Sequence, residues 1–506
     1  MILELKRESH VPLYTQIAEQ MRERMREGAL KVGDRLPPNR ELAKSLGVNR
    51  GTVTTAYDEL MADGLVSSQV GRGTFVSAVP AGVARAAAQE RMPSSPMPWG
   101  ALLTDERRDP WMQSLTDASA HAGAISFAYA LPPAELFPIE EFRRSVERVL
   151  RKEGRQLLSL GSSRGYEPLR QYLSAQMALA GIHTPPDEVL ITNGCQQSLD
   201  LIHRILVRPG DEVAVENPVY PGAISVFCNP QTKYTSIPVG PRGLDLDVLE
   251  DVLAHRKPKL IYTVPSYHNP TGATMDLESR HRLIEIAARY RVPIVEDDIY
   301  RELRYEGAAL PPLKALDRYG LVIYINSFSK VGFPGLRVGW MAAPRIVIER
   351  VSSMRQQSDF HTSLMVQAAI HDFAKHGALI KHIQRCRKAY AQRRDAMLAA
   401  LERHFPAEAV WNKPEGGLAV WVQLPETIQA AQILMSASEQ GVTFCPGELF
   451  YACGPQTNRM RLAFSTAAPS QIEEGVKRLG ALIKTKLAGA KQQRWFGQAA
   501  GARTLV

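Results

Sequence analysis

The chain has 506 residues, 45% of them hydrophobic and 22% charged, and its net charge is +9. This is an ordinary globular composition, with enough chain for more than one domain. The five cysteines are scattered without a CxxC pair, which argues against a disulfide framework and against a zinc site. No apolar run reaches membrane-spanning length, and the N-terminus lacks the apolar core of a signal peptide, so we expect a cytoplasmic protein without a membrane partner.

The positive charge is distributed unevenly along the chain. Residues 1–80 hold 11 Lys and Arg against 10 Asp and Glu, a net charge of only +1. Residues 375–394 and 471–506 are basic, and we interpret them as a solvated helix face and a frayed tail. If the N-terminal region binds DNA, individually placed arginines must do so, because its bulk charge does not single it out.

The pattern of residues 1–78 predicts three short helices. In "PLYTQIAEQMRERMREG" apolar residues recur every four positions and the pattern stops at Gly28, which predicts the first helix. The second helix is expected to begin at Pro38 and Asn39 and to end at Gly47. Asn49 is the expected N-cap of the third helix, in "NRGTVTTAYDELMADGL". The residues expected to form the buried faces are Leu13, Ile17, Met21 and Met25 in the first helix and Val53, Ala56, Tyr57 and Leu60 in the third.

The third helix directs Arg50, Thr52 and Thr54 away from its buried face, at its N-terminal end. The next segment, "LVSSQVGRGTFV", predicts a hairpin whose tip is Gly71-Arg72-Gly73. Three helices and a hairpin describe a winged helix-turn-helix, in which the second helix of the motif lies in the major groove of DNA. Arginine and small hydroxyl side chains suit base and phosphate contacts there, and glycines at the tip allow backbone amides to approach phosphate.

The stretch "GDRLPPNRELAKSLGVNRGTVTTAYDELMADGLVSSQVGRGTFV" resembles the GntR-type winged helix along its full length. Gly51 stands where that family usually carries Thr or Ser, so this position has no side chain with which to contact DNA. The resemblance implies that a double-stranded DNA operator is contacted by Arg40, Arg50, Thr52, Thr54, Gly71 and Arg72.

Beyond residue 78 the composition changes twice. Residues 79–120 are rich in Ala, Pro and Ser without a sustained period, which indicates a flexible linker. Across residues 121–487, short apolar runs such as "VPIVEDD" and "LVIYINSFS" alternate with longer amphipathic segments, which predicts a large α/β domain with a mostly parallel central sheet. Residues 488–506 have little to bury, and we expect them to form a disordered tail.

Lys330 lies in "SFSKVGFPGLRVGW", directly after an apolar strand. A buried lysine is costly unless its charge or its amine is used, and a Schiff base with an aldehyde cofactor, pyridoxal 5'-phosphate (PLP), is the standard covalent use of a buried amine. The start of the helix in "ITNGCQQSLDLI" can hold a phosphate, because helix N-termini present free amides. The residues that could hold the phosphate at these two places are Cys195, Gln196, Ser327, Ser329 and Arg337.

Four further residues could hold the cofactor ring. Asp297, at the end of "VPIVEDD", could keep the pyridine nitrogen protonated. Tyr300 and Asn269 could reach the ring hydroxyl, and Tyr220 could stack on the ring face. Three of these residues also have ordinary structural interpretations: Asp297 could cap a helix, Asn269 could serve a turn and Tyr220 could lie in the core.

From about Ile125 to about Ile483 the chain resembles the fold-type I aminotransferases, whose usual motifs stand in the usual order as "NPTG", "EDDIY", "SFSKVGFPGLRVGW" and "NRMRLAFS". The resemblance implies that Lys330 is the Schiff-base lysine and that Arg461 binds the α-carboxylate of an amino acid, with a surface salt bridge as the alternative for Arg461. Family members commonly carry Tyr-x-x-x-x-Gly where this chain has "LGSSRG", and Leu160 cannot donate to a partner subunit's phosphate as that tyrosine does.

The combination of a GntR-type head with this large domain resembles the MocR subfamily of transcription regulators. We therefore expect a homodimeric DNA-binding regulator that senses an amino acid or amine effector through PLP, with a linker long enough for each head to reach the partner's large domain. Two alternatives stay open. One is an amino acid aminotransferase that carries a DNA-binding head, and residual or partial transamination is compatible with either interpretation. The other is a sensor of PLP itself that regulates vitamin B6 synthesis.

Overall fold

The computed structural model describes residues 3–69, 73–78 and 123–501. The chain divides into two units, Met1–Glu106 and Arg107–Val506. The predicted linker, residues 79–120, lies outside the described residues, as do Gly71 and Arg72 at the tip of the predicted wing.

Within residues 3–69 and 73–78, the N-terminal unit has three helices and a two-stranded antiparallel hairpin. The elements are α1 (Leu13–Arg26), α2 (Asn39–Leu46), α3 (Arg50–Ala62), β1 (Val66–Gln69) and β2 (Gly73–Val76). The apolar stripe predicted for α3 is buried in full, and in α1 the buried residues are Ile17, Ala18, Met21 and Met25. The winged helix-turn-helix predicted from the spacing of apolar residues is confirmed.

Local signals set the ends of the two helices of the motif. Gly47 follows α2 with φ of 61°, a left-handed conformation that glycine adopts without strain. The side chain of Asn49 accepts a hydrogen bond from the backbone N–H of Gly51 at 3.0 Å and so caps α3. Tyr57 Oη donates to the carbonyl of Pro37 at 2.8 Å, which ties α3 to the entry of α2.

The second unit is built around an eight-stranded sheet of order β4-β11-β10-β9-β8-β5-β6-β7. Strands β10, β9, β8, β5 and β6 are parallel, whereas β11 is antiparallel to both β10 and β4. Every residue of β4, β8, β9, β10 and β11 is buried, as in a parallel sheet covered on both faces. The strands are β4 (Val189–Thr192), β5 (Glu212–Asn217), β6 (Lys233–Gly240), β7 (Gly243–Leu244), β8 (Ile261–Thr263), β9 (Ile294–Asp297), β10 (Val322–Ser327) and β11 (Gly339–Ala342).

Helices and a smaller sheet complete this unit. The smaller sheet has the order β12-β13-β15-β14-β3 and places Arg461 on its central strand, β15. Its strands are β3 (Ile125–Phe127), β12 (Val410–Trp411), β13 (Ala419–Gln423), β14 (Val442–Pro446) and β15 (Arg459–Ala463). The helices are α4 (Ile139–Leu157), α5 (Glu167–Ala178), α6 (Cys195–Leu206), α7 (Pro221–Phe227), α8 (Leu246–His255), α9 (Leu277–Tyr290), α10 (Leu313–Leu316), α11 (Arg345–Gln356), α12 (Leu364–Lys375), α13 (Ala378–His404), α14 (Ala430–Glu439) and α15 (Pro469–Gly501). The predicted α/β architecture with a mostly parallel central sheet is confirmed.

Two basic segments differ from their expected environments. In α13 the guanidinium groups of Arg393 and Arg394 are buried and pair with Glu135 and Glu306, each at 2.6 Å, so this part of the helix is not a solvated basic face. Helix α15 continues to Gly501, past residue 488, because its Ala, Lys and Gln residues favour helix. Residues 502–506 of the expected disordered tail lie outside the described residues.

None of the helices in the described ranges is both long enough and apolar enough to cross a membrane.

Replacing Asn49 with alanine should weaken the start of α3 by about 1 kcal/mol, because the N–H of Gly51 loses its acceptor. Amide hydrogen exchange across Arg50–Ala62 should then speed up by about five-fold. Asn49→Ser keeps a capping oxygen and is the matched control. Equal exchange rates in the alanine and serine variants would show that the cap contributes nothing.

Candidate functional site

The candidate residues lie where strands of the main sheet end. Asp297 is the last residue of β9, and Lys330 follows β10. Asn269, Tyr220 and Cys195 follow β8, β5 and β4 in the same way. Because these five strands point in one direction, their carboxyl ends share one edge of the sheet, which is where open α/β sheets bind ligands.

Lys330 is partly buried, and its Nζ donates to the carbonyl of Ala130 at 2.9 Å. Burial lowers the pKa of Lys330 to about 8, and the nearby guanidinium of Arg461 acts in the same direction. A lysine with this pKa carries more free amine near neutral pH than an exposed lysine does. The free amine is the nucleophilic form of the side chain.

Asp297 is buried beside this lysine. Tyr262 Oη donates to one carboxylate oxygen of Asp297 at 3.1 Å, and the N–H of Ile299 donates to the other at 3.4 Å. Burial nevertheless raises the pKa of Asp297 to about 7. A cation placed against this carboxyl group would keep it ionised. A protonated ring nitrogen would be such a cation.

Aromatic hydroxyls and an amide approach the same region. Tyr300 is buried, and Tyr220 lies partly buried within 3.5 Å of the amide oxygen of Gln196. Burial raises the pKa of both tyrosines, so both are neutral hydroxyls that can donate a hydrogen bond. The charge of Asp297 acts in the same direction on the pKa of Tyr300.

The backbone at the start of α6 approaches a neighbouring strand too closely for side chains. A Cβ on Gly194, whose φ is +84°, would lie 2.9 Å from Arg337 Nη2, and a Cβ on Gly339 would lie 2.8 Å from Gly194 Cα. The N-terminal amides of α6 have no partners within the helix. Together with the guanidinium of Arg337 they form a positively polarised cradle suited to a phosphate.

Two serines directly precede Lys330, Ser327 at the end of β10 and Ser329 next to the lysine. Ser327 Oγ and Ser329 Oγ lie 2.8 Å apart, and Ser327 Oγ also donates to the carbonyl of Val338 at 2.9 Å. Both side chains are buried. Their hydroxyls are held in place by these bonds before any ligand arrives.

Arg461 is 1% exposed, so the surface salt bridge considered from the sequence does not occur. Its Nη1 donates to Asn269 Oδ1 at 3.0 Å and its Nη2 to the carbonyl of Ala128 at 2.6 Å. Its guanidinium also lies over the ring of Phe450, 4.9 Å from the centroid. The small sheet thus delivers a buried cation to the edge where Lys330 lies.

Sequence reasoning missed the residues that support this site. Besides Tyr262, they include Asp359, whose carboxylate accepts from Asn193 Nδ2 at 2.7 Å and from Gln197 Nε2 at 2.8 Å. The fully buried Arg355 holds the same carboxylate through its Nε at 2.9 Å. This network fixes the turn before α6, and no local motif marks it, because its members are far apart in sequence.

A buried pair includes the residue before Asn269. His268 Nε2 is 3.1 Å from Glu216 Oε2, and both side chains are buried. Glu216 also accepts from Thr263 Oγ1 at 2.6 Å and from the N–H of Val264 at 3.1 Å. The pair anchors the loop after β8, and hence Asn269, to strand β5.

The observations above fit PLP. The cradle of Gly194 and Gly339 with Arg337 would take the phosphate, the desolvated carboxyl group of Asp297 would take the ring nitrogen, and the low-pKa amine of Lys330 would take the aldehyde. Burial raises the pKa of the Cys195 thiol well above its usual value, so this residue offers a backbone amide and not a thiolate.

In the loop where the family commonly has a tyrosine, Leu160 is 83% exposed. The neighbouring N–H of Gly161 donates to His361 Nε2 at 3.1 Å, which fixes the loop to the segment that follows α11. Leu160 therefore presents an apolar surface where the family presents a hydroxyl.

The predicted DNA-contacting residues of the head occupy different environments. Arg40 and Arg50 are exposed, and Thr52 is partly exposed near the start of α3. Thr54 Oγ1 accepts from Asn39 Nδ2 at 3.0 Å and donates to the carbonyl of Arg50 at 3.1 Å, so it joins the two helices of the motif. The predicted wing residues Gly71 and Arg72 lie outside the described residues.

The amine of Lys330 should react with acetic anhydride, in cofactor-free protein, with a pH midpoint near 8. The reason is that burial disfavours the ammonium form, so the nucleophilic amine is present at lower pH. Mass spectrometry of the Lys330 peptide measures the acetylated fraction. The same residue in urea-unfolded protein is the control and should show a midpoint about two units higher. A folded-state midpoint near 10 would contradict the assigned environment.

Two family models match the chain. The model for "Aminotransferase class I and II" matches residues 135–479, and that for "Bacterial regulatory proteins, gntR family" matches residues 13–76.

Relatives match either the large domain or nearly the whole chain. Aromatic-amino-acid aminotransferase 1 of Thermococcus litoralis is 40% identical over 369 residues, 72% of this chain and 88% of that protein. The probable rhizopine catabolism regulatory protein MocR of Rhizobium meliloti is 31% identical over 494 residues, 97% of each chain. The crystal structure of α-aminoadipate aminotransferase from Thermus thermophilus, complexed with N-(5'-phosphopyridoxyl)-L-leucine, is similar at 36% identity with a TM-score of 0.71. The match covers 78% of this chain and 100% of that one.

These similarities agree with the motifs and with the geometry, and the aminotransferases of this class use PLP. The chain belongs to the class I and II aminotransferase family and, through its GntR-type head, to the MocR regulators.

Proposed function

We propose that this DNA-binding transcription regulator uses its PLP-binding domain to sense an amino acid or amine effector. The observation that carries the proposal is the joining of a desolvated lysine amine, Lys330, with a DNA-reading head in one chain. A winged helix has no use in a metabolic enzyme, and a Schiff-base lysine has no use in a simple repressor. Effector binding at Lys330 would be coupled to the affinity of the head for DNA.

The cofactor, when bound, supplies an aldehyde that can exchange one amine for another and a ring that withdraws electrons. Lys330 would hold it covalently, and the ring would lie between Tyr220 and the strand ends. Asp297 would ion-pair with the ring nitrogen. The remaining contacts we assign fall into two groups. Tyr300 and Asn269 would bind the ring hydroxyl. Cys195, Gln196, Ser327, Ser329 and Arg337 would bind the phosphate.

Arg461 would bind the carboxylate of an amino acid effector. Its guanidinium is buried, so water screens its positive charge little, and an anion there would be strongly attracted to it. Asn269 Oδ1 now accepts from Arg461 and would have to share that donor with the incoming carboxylate. An amine without a carboxylate would leave this arginine bonded as it is, which predicts that amino acids bind more tightly than simple amines.

Two other functions remain alternatives. The set of Lys330, Asp297 and Arg461 is compatible with an amino acid aminotransferase, with residual or partial transamination as a lesser form. It is equally compatible with a sensor of PLP that regulates vitamin B6 synthesis, in which cofactor occupancy itself would change DNA binding. The head favours a regulator over the enzyme, since DNA recognition serves gene control.

The molecular organisation we propose has two heads on one dimer. Each chain would consist of domains of residues 1–78 and 121–487, a linker of 79–120 and a tail of 488–506. Two such chains would form a homodimer through their large domains. A two-fold dimer matches paired half-sites on an operator. The linker is long enough for each head to lie against the partner's large domain, and a cytoplasmic location follows from its DNA target.

Amino acids and amines should change the visible absorption of the PLP-loaded protein, because an effector amine would replace Lys330 as the group bound to the cofactor aldehyde. A titration across the common amino acids and amines identifies the effector. Amino acids should bind about 5- to 150-fold more tightly than the matching decarboxylated amines, since a hydrogen-bonded charge pair is worth about 1–3 kcal/mol.

Lys330→Ala is the control for the titration and should lose the absorption band of lysine-bound cofactor. Persistence of that band would show that another amine holds PLP. Sustained turnover of an amino acid with a 2-oxo acid at rates ordinary for enzymes would favour the aminotransferase function. DNA binding that responds to PLP alone, and not to any amine, would favour the cofactor sensor.

Replacing Arg50 with alanine should weaken binding to the operator next to the protein's own gene by about 5- to 150-fold, because a base-reading arginine contributes about 1–3 kcal/mol. A gel-shift titration at fixed salt measures the loss, and PLP absorption should be unchanged. Arg26→Ala, an exposed arginine at the end of α1, is the matched control. Equal effects of the two variants would mean that Arg50 contributes charge only.

A further inference from the structure

A cavity of about 190 Å³ lies behind the lysine loop. Helices α5 and α13 and strands β10 and β11 contribute to its wall. Most of the wall is apolar, with Leu173, Met177, Ile182 and Ile383 among its members. A largely apolar cleft of this size could accept a small apolar molecule.

This cavity lies on the opposite face of the sheet from Asp297. Tyr324 and Asn326 are two residues apart on β10 and therefore share a face. Trp340 pairs with Asn326 across the antiparallel β10–β11 register, so it shares that face too, and all three line the cavity. Asp297 pairs with Ile325 and thus lies on the other face. The cavity therefore lies beside the place proposed for PLP, and Ser327 borders both.

The cavity wall contains an aromatic pair with an unpaired donor. The rings of Phe328 and Trp340 are tilted against each other with centroids 5.0 Å apart. Among the residues that the structure describes, nothing accepts a hydrogen bond from the buried Nε1 of Trp340. This N–H has less than 1 Å² of exposed surface, so a ligand's acceptor could reach it only if the ring of Trp340 turned toward the cavity. Because a buried N–H without an acceptor is costly, such a hydrogen bond would be favourable.

The charged groups of the wall already have partners. Arg387 Nη2 lies 2.7 Å from Glu302 Oε2, and Arg301 Nη1 lies 3.8 Å from Asp298 Oδ2. Because each of these charged groups has a partner of opposite charge, the cavity favours an uncharged ligand.

Hydrogen bonds join this cavity to the lysine loop. Asn326 Nδ2 donates to Tyr324 Oη at 2.8 Å, and the N–H of Ser327 donates to Asn326 Oδ1 at 2.7 Å. Ser327 in turn bonds Ser329, the residue before Lys330. Phe328 and Val331, which also line the cavity, stand on either side of that lysine. A molecule here would therefore press on the segment that holds the proposed phosphate hydroxyls.

We propose that this cavity is a second regulatory site, which binds an uncharged one- or two-ring aromatic compound carrying a hydrogen-bond acceptor. Trp340 would donate to the acceptor, and the Phe328 and Trp340 rings would pack against the ligand rings. The ligand would alter the environment of bound PLP through Asn326 and Ser327 without contacting the cofactor. This site does not depend on effector binding at Lys330.

The test uses quinoline, a two-ring compound with an acceptor nitrogen, and indole, a similar compound that offers only a donor N–H. Calorimetric titration of the PLP-loaded full chain should show one quinoline per chain with a dissociation constant below about 1 mM. Indole should bind at least five-fold more weakly, and Trp340→Phe should remove that difference. Quinoline should also shift the visible absorption of the bound PLP.

Matched variants locate the binding. Ala180 lines the cavity, and Ala180→Leu should weaken quinoline binding at least ten-fold, whereas Ala178→Leu, at an exposed position just outside the wall, should change nothing. Should Ala180→Leu fail to fold, Ile383→Phe fills the same cavity from α13. The proposal is overturned if quinoline gives no binding heat at millimolar concentration, if the filling variant binds as the wild type does, or if bound PLP does not respond.

Quinoline binding should persist in Lys330→Ala. Suppose that quinoline binds Lys330→Ala but no amino acid alters the cofactor spectrum of the wild type. This result would support the second site and contradict the effector proposal. Loss of quinoline binding in Lys330→Ala would instead place the compound at the lysine and overturn the second site.

Discussion

Desolvation of ionisable groups at one sheet edge is the constraint on which the large unit depends. Lys330, Asp297 and Arg461 would each be better solvated in water, and their burial shifts the pKa of the lysine down and that of the aspartate up. Such groups persist in a fold only where their neighbours compensate them or a function requires them. Here the strand ends of the main sheet and β15 of the small sheet bring a free amine, a carboxyl group and a guanidinium to one place.

The support of this edge is built from residues remote from one another in the chain. Asp359 and Arg355 hold the turn before α6, while Glu216 and His268 hold the loop after β8. These polar groups are paired with each other, so they fix the geometry of both segments. The close approach of Gly194 to Gly339 shows the result, a backbone cradle that has no room for side chains.

The two faces of the main sheet serve different purposes in the arrangement we propose. One carries Asp297 and the cofactor residues, and the other carries Tyr324, Asn326 and Trp340 around an apolar cavity. The segment that contains Lys330 lies between them. A regulator needs its ligand site to be coupled to something beyond it, and a lysine loop that contacts a cavity as well as the cofactor would provide one such coupling.

Local patterns determined most of the fold. The stripe in α3, the Asn49 cap and the left-handed Gly47 follow from residues within one helix turn of each other, and the alternating apolar runs predict the parallel sheet for the same reason. Motif spacing also placed Lys330, Asp297 and Arg461 among the candidates before their positions in space were known.

Only the tertiary structure decided which of these residues meet and what holds them. Arg461 could have been a surface arginine, and the basic residues of α13 looked solvated, yet both Arg461 and Arg394 are buried against partners from other elements. Tyr262, Asp359 and the cavity beside Trp340 carry no sequence signal, because each arises from segments that chain folding brings together. The sequence by itself determined the kinds of groups and the elements that carry them. Their burial, their pKa values and their partners depend on long-range packing, which no local pattern encodes.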